Sequence, residues 1–114
     1  MDPFFSVGKL GEFTVVEFKT ASLMNAMELE RIAQGIYRLV DEEGAKLLLM
    51  DFTPVEYLSS QAIGILVGLN KKLSQVPGSR LALCGVRPQL MQLLKITRLD
   101  RMLKVFKTQQ DAVK

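Results

Sequence analysis

The chain of 114 residues has no histidine and a single cysteine, and these two shortages exclude most common catalytic and metal-binding arrangements. Without histidine the chain cannot form a serine–histidine–aspartate triad, a histidine general base or the usual zinc sites. Cys84 alone cannot form an internal disulfide. Because it ends an apolar run, residues 81–84, we predict an unreactive thiol in the core.

Long hydrophobic segments are also missing. No apolar run approaches the roughly 20 residues of a membrane-spanning helix. Residues 1–5 have neither the basic segment nor the apolar centre of a signal peptide. We therefore expect a cytoplasmic protein without direct membrane insertion. The length and the hydrophobic content of 48% fit one globular domain over residues 1–114.

Charge and motifs exclude further classes. The formal net charge is +3, but the bases are scattered and the densest local pair is Lys71-Lys72. No basic stripe with interleaved aromatic residues is present, so we expect no nucleic-acid binding. No glycine-rich phosphate loop precedes a lysine, and no nucleophile–base pair is visible. These absences predict a protein without enzymatic activity, cofactor or metal.

Residues 47–84 are the stretch around which the chain is organised. Two apolar runs, 47–50 and 81–84, are joined by a helical pattern that begins at 59–61 and lasts to about Val76. Two fully apolar strands joined by a helix predict a βαβ unit with both strands central and parallel. Open α/β sheets bind their ligands at the carboxyl edge, where this helix begins. The Ser59-Ser60-Gln61 turn is therefore the first candidate for a functional site.

The other segments predict a sheet with helices in alternation. Asn25 and Glu28 fit a capping box that starts an amphipathic helix, and Gly44 is its expected end. Pro88 is a favourable first residue for a later helix. The remaining predicted elements are strands at 4–7 and 13–18 joined by a turn at 8–12, a connection at 19–24, a turn at 98–102, an edge strand at 104–106 and a helix at 108–114. The predicted fold is a single α/β domain, with a mostly parallel sheet of four to five strands, an amino-terminal antiparallel hairpin and four helices.

The central helix should have two distinct faces. Helical spacing predicts that one face packs on the sheet, through Ala62, Leu66, Leu69, Leu73 and Val76. The opposite face carries Ser60, Gly64, Gly68, Lys71 and Gln75. Two glycines four residues apart leave a smooth surface. Either a partner or another part of the same domain could approach it closely.

With these elements placed, the sequence resembles the STAS domain, the sulfate-transporter and anti-sigma-antagonist family, over nearly the whole chain. Four stretches carry the resemblance: Leu48-Leu49-Met50-Asp51-Phe52, Tyr57-Leu58-Ser59-Ser60-Gln61-Ala62-Ile63-Gly64, Leu81-Ala82-Leu83-Cys84-Gly85-Val86 and Leu94-Lys95-Ile96-Thr97-Arg98-Leu99-Asp100. A stand-alone domain this short resembles an anti-sigma-factor antagonist, which binds a kinase-type anti-sigma factor and so releases a sigma factor for transcription. The resemblance implies that the kinase phosphorylates a serine at the start of the central helix, which breaks the complex, and that a phosphatase restores it. ATP and magnesium would belong to the partner.

The phosphorylation site departs from the family pattern, which reads Asp-Ser-Ser-Gly with the phosphate on the second serine. Counting without gaps from Asp51 places Gln61 at the acceptor position, and glutamine cannot be phosphorylated. A register slipped by one residue would make Ser60 the acceptor. The spacing to Gly64 favours the gapless register. A third interpretation is that Ser59 or Ser60 only caps the helix.

The predicted contact surface combines the loop before the central helix, the helix start, its outer face and the start of the neighbouring helix. Its residues are Val55, Tyr57, Leu58, Ser59, Ser60, Gln61, Gly64, Val67, Gly68, Met24 and Asn25. Two alternative functions stay open. One is an accessory subunit of a membrane lipid transporter that docks on its ATPase, where no phosphorylatable serine is required. The other is a scaffold subunit of a stress-sensing assembly. The oligomeric state is not predicted.

Overall fold

The computed structural model describes residues 3–114; Met1 and Asp2, part of the segment examined for a signal peptide, lie outside them. Over this range the elements are β1 (Phe5–Leu10), β2 (Phe13–Phe18), β3 (Ser22–Leu23), α1 (Ala26–Asp41), β4 (Leu47–Asp51), β5 (Tyr57–Leu58), α2 (Ser60–Ser74), β6 (Arg80–Cys84), α3 (Pro88–Ile96), a 3-10 turn (Leu99–Arg101), β7 (Lys104–Phe106) and α4 (Gln109–Val113). None of the helices in this range is long and apolar enough to cross a membrane.

The main sheet of the described chain has five strands in the order β1-β2-β4-β6-β7. β1 and β2 are antiparallel, and every other neighbouring pair in this sheet is parallel. The β4–α2–β6 unit places Leu48 opposite Leu81 and Met50 opposite Leu83. This confirms the predicted mostly parallel sheet with its amino-terminal hairpin and four helices.

The core has a layer on each side of the sheet. Side chains of a strand alternate between faces, so Leu48 and Met50 join the larger cluster with residues of α1, α2 and α3. Leu49 faces the other way, into a smaller cluster with Ala82 and with Ala112 of α4. The sheet is thus sandwiched between three helices and the short carboxyl-terminal helix.

Two predicted boundaries are wrong. β1 continues to Leu10 instead of ending at residue 7, because Gly8 and Leu10 still pair with β2, and the turn shrinks to residues 11–12. The connection at 19–24 contains β3, which pairs in parallel with β5 from the loop before α2. Strands of two residues are too short for any hydrophobic periodicity.

The signals predicted for the start and end of α1 and for the start of α3 are confirmed, whereas α2 ends at Ser74, two residues before Val76. The Asn25 side chain caps α1 by accepting hydrogen bonds from the amides of Met27 and Glu28, each at 3.0 Å. Gly44 follows α1 in the left-handed conformation, with φ of +67°. Pro88 is the first residue of α3.

Candidate functional site

The amino termini of α1 and α2 lie side by side at the carboxyl edge of the sheet. Each helix directly follows one strand of the small parallel pair, in which Ser22 lies opposite Tyr57 and Leu23 opposite Leu58. The amide of Ser59 also donates to the carbonyl of Leu23 at 3.0 Å. Backbone hydrogen bonds therefore fix the two helix starts relative to each other.

The serines and the glutamine of the turn have separate roles. Ser59 caps α2, because its hydroxyl oxygen accepts from the amide of Ala62 at 3.2 Å. Ser60 is the first helical residue and is exposed. The side-chain amide of Gln61 donates to the carbonyl of Ala26 at 3.3 Å and so connects α2 with the start of α1. The capping role thus belongs to Ser59, which leaves Ser60 facing solvent.

Three exposed apolar side chains surround these helix starts: Met24 (53% exposed), Met27 (82%) and Tyr57 (60%). We call them the helix-start patch. The first turn of α2 contains no acidic residue, whereas that of α1 contains Glu28, so the α2 side of the patch adjoins a helix terminus without a charged side chain. Grouped exposed apolar side chains mark interaction surfaces.

Met27 is absent from the predicted contact surface, although the sequence contains a signal for it. The buried stripe of α1 starts at Leu29 and continues through Ile32 and Ile36. Met27 falls outside this stripe and is an apolar residue in the first turn of the helix. An apolar residue on the polar face of an amphipathic helix is a candidate contact residue.

Val55 is not a contact residue, and that prediction is wrong. Its side chain is fully buried in the core, and its amide donates to the carbonyl of Phe52 at 2.8 Å. The turn formed by this bond directs Val55 inward, where it anchors the loop. Leu58 is half-buried and packs against the same core. In this loop Tyr57 is the exposed apolar side chain.

The two glycines of α2 have different surroundings: Gly64 is open, and Gly68 lies against another part of the same domain. A Cβ atom at Gly64 would meet no atom within 4 Å, so this part of the helix is open. At Gly68 a Cβ atom would lie 2.8 Å from the hydroxyl of Tyr37 on α1. Gly68 therefore accommodates a neighbour in the same domain, while Gly64 and the partly exposed Val67 remain accessible.

Asp51, the last residue of β4, has a carboxylate that is held by hydrogen bonds. Asp51 accepts from the amide of Thr53 at 2.9 Å and from the side-chain amide of Gln109 at 2.8 Å. Desolvation, the largest single effect, raises the pKa of Asp51, but hydrogen bonds from Thr53, Gln109 and Cys84 together lower it below its ordinary value. Asp51 is therefore ionised at neutral pH. It ties the loop before the site to α4.

Cys84 lies in the core, as its place at the end of an apolar run predicted. Cys84 is 1% exposed. Burial, with the nearby charge of Asp51, raises the pKa of this thiol to about 12. Among residues 3–114, no three cysteine or acidic side chains are grouped so that they could hold a metal ion.

The chain is similar to known proteins in both sequence and fold. The family model described as STAS domain matches residues 12–112. The anti-sigma-B factor antagonist of Listeria monocytogenes is 29% identical over 101 residues, which cover 89% of this chain and 75% of the relative.

Two solved structures extend this comparison. The structure of an anti-sigma-factor antagonist (STAS) domain protein from Planctomyces limnophilus is 27% identical, with a TM-score of 0.83 over 96% of this chain and 93% of the other. A Thermotoga maritima crystal structure has a TM-score of 0.86 at 19% identity, covering 98% of this chain and 93% of the other. At that identity the likeness concerns the fold alone.

Proposed function

This chain belongs to the STAS domain family, and on that premise we propose that it is a cytoplasmic anti-sigma factor antagonist. It binds a kinase-type anti-sigma factor and thereby releases a sigma factor for transcription. The observation that carries the proposal is the helix-start patch, an exposed apolar surface beside an uncharged helix terminus. The names of the relatives from Listeria monocytogenes and Planctomyces limnophilus support the choice of partner.

The chemistry of the patch suits binding rather than catalysis. Tyrosine provides a large contact area with few rotatable bonds and is frequent among residues that dominate binding energy. Met24 and Met27 are flexible and polarizable, so they adapt to an irregular partner surface. The free amide groups at the start of α2 can donate to polar groups of the partner. The domain acts by occupying the anti-sigma factor and needs no cofactor of its own.

We further propose that Gln61 keeps the helix start uncharged. In the gapless register it occupies the family's phosphate-acceptor position, and its side chain already bonds to α1. Regulation would then come from the partner or from synthesis of the protein. Ser60 is the remaining phosphorylation candidate, because it is exposed and is not the cap. A phosphate there would add about two negative charges to the contact surface.

A binding measurement with a matched control tests the proposed function. The purified chain is titrated with each kinase-type anti-sigma factor encoded in its own genome. Tyr57→Ala should weaken the complex about tenfold or more, as expected for an aromatic residue within an interface. Ile96→Ala is the control, since Ile96 is exposed to 78% but lies outside the patch. Absence of binding to every such factor, or equal losses in both variants, would contradict the proposal.

Mass spectrometry tests the proposed regulation. The chain is incubated with its cognate kinase and ATP, and any phosphate is mapped. We expect no phosphate on Ser60. Phosphate on Ser60 that abolishes the complex would show that the slipped register applies.

A further inference from the structure

The net charge of the chain is concentrated in one short segment far from the helix-start patch. Residues 95–104 contain four bases and one acid, whereas the rest of the chain has eleven of each sign. All four bases are exposed, while Asp100 is half-buried. We call the four bases the basic corner: Lys95, Arg98, Arg101 and Lys104. These bases are three residues apart, so no two of them are adjacent in the sequence.

Two exposed apolar side chains alternate with these bases. Ile96 is 78% exposed, the second-highest value among the large exposed hydrophobic residues of the described chain, and Met102 is 52% exposed. The chain changes direction at Arg98, which adopts a left-handed conformation with φ of 62°. Residues 95–98 are all exposed, so their side chains are accessible from solvent.

The sheet topology places the basic corner at the opposite edge from the proposed partner site. α3 follows the carboxyl end of β6 and returns, so that the chain can begin β7 parallel to β6. The end of α3 and the start of β7 therefore lie at the amino edge of the sheet. The helix-start patch lies at the carboxyl edge. The two surfaces are distinct.

We propose that the basic corner docks on an anionic lipid membrane, with Ile96 and Met102 entering the headgroup region. The bases are available, because the ion pairs of the described residues are made by other cations, Arg38, Lys72 and Lys114. Clustered bases bind anionic headgroups, and neighbouring apolar side chains add interfacial burial. The long stems of lysine and arginine allow their charges to stay at the headgroups.

The composition of the corner favours a membrane over other anions. A protein partner must match the exposed side chains with a fixed complementary surface, whereas lipid headgroups rearrange around them. Proteins bind single-stranded nucleic acids by stacking the nucleobases on aromatic side chains. Residues 95–104 contain no aromatic residue.

A tryptophan reporter tests the proposal directly, because the chain has no tryptophan. Ile96→Trp gives a single emitter at the corner, and Tyr57→Trp is the matched emitter at the opposite edge. Phosphatidylcholine vesicles containing phosphatidylglycerol should shift the emission of the first variant to the blue and leave the second unchanged. Pure phosphatidylcholine vesicles should shift neither. Added salt should reverse the shift, since the Debye length falls to about 3 Å at 1 M salt.

Charge reversals with equal effect on net charge complete the test. Lys95→Glu with Arg101→Glu should reduce co-sedimentation with anionic vesicles about tenfold or more. Lys19→Glu with Lys107→Glu changes exposed residues that follow the carboxyl ends of their strands and should retain most binding. Circular dichroism checks that both variants fold.

Three outcomes would overturn the proposal. The first is no co-sedimentation of the unmodified chain with anionic vesicles at low salt. The second is an equal loss in the two double variants. The third is a blue shift of the Ile96→Trp variant with RNA or an acidic peptide but not with vesicles, which would assign the corner to a different anion.

Discussion

Gln61→Glu distinguishes an effect on folding stability from an effect on partner binding more sharply than any other single substitution. The change replaces one nitrogen by oxygen and adds one negative charge at the second residue of α2. It also removes the donor that reaches the carbonyl of Ala26 at 3.3 Å. The steric effect is close to zero, so the outcome depends on charge and on one hydrogen bond.

The two effects on stability nearly cancel. A carboxylate in the first turn interacts favourably with the helix dipole by about 0.3–1 kcal/mol. Loss of a hydrogen bond costs about 0.5–1.5 kcal/mol, and a long, exposed bond such as this one belongs at the lower end. The free energy of unfolding should therefore change by less than about 1 kcal/mol. For a domain of this size, the melting temperature should move by no more than about 4–8 °C.

Partner binding should respond much more strongly. An unpaired charge buried in an interface costs about 2–5 kcal/mol, which weakens the complex at least about thirtyfold. Calorimetric titration with the anti-sigma factor measures the affinity, and thermal denaturation measures stability. Gln61→Met is the control, because it removes the hydrogen bond without adding charge. Unchanged affinity in Gln61→Glu would refute the placement of Gln61 in the interface, and an equal loss in Gln61→Met would assign the effect to the hydrogen bond.

Four further substitutions test the packing and the electrostatics. Leu66→Ala should lower the free energy of unfolding by about 2–5 kcal/mol, because Leu66 is only 2% exposed; an unchanged denaturation midpoint would contradict its place in the core. Gly64→Ala should raise the free energy of unfolding by up to about 1 kcal/mol, because this face of α2 is open. Gly68→Ala should raise it less, because the hydroxyl of Tyr37 must move. Chemical denaturation compares the two variants, and equal increases would contradict the contact between Gly68 and Tyr37. The pKa of Asp51 is lowered in the fold, so its contribution to stability is present above the unfolded value near 4 and is lost as pH falls further. Asp51→Asn should flatten that loss in denaturation curves below pH 4, and an unaltered slope would refute the assignment.

The sequence was most informative where the hydrophobic pattern is long. The two apolar runs and the helical stripe between them predicted β4, α2 and β6, because burial on both faces leaves no polar positions in a central strand. The caps were predictable for a different reason. Asn25 and Gly44 act through local backbone geometry, which depends on residues within one helical turn.

The candidate site was less predictable because tertiary contacts assemble it. β3 and β5 are two-residue strands that exist only because residues more than 30 positions apart pair with each other. A single valine within a proline-containing loop has no periodicity, so composition could not show that Val55 points inward. Met27, by contrast, could have been predicted as exposed, because it is an apolar residue outside the buried stripe of its helix.

Because the two proposed surfaces lie at opposite edges of the sheet, both can be occupied at the same time. The principal extents of the domain are 30 × 28 × 24 Å, which exceed the Debye length of about 8 Å at physiological salt. A negative membrane at the basic corner would therefore exert little electrostatic effect on the helix-start patch. Because the patch and the corner lie at opposite edges of one packed sheet, a protein held by the corner would still present Tyr57 and Met27 to its partner. Neither interaction needs to displace the other.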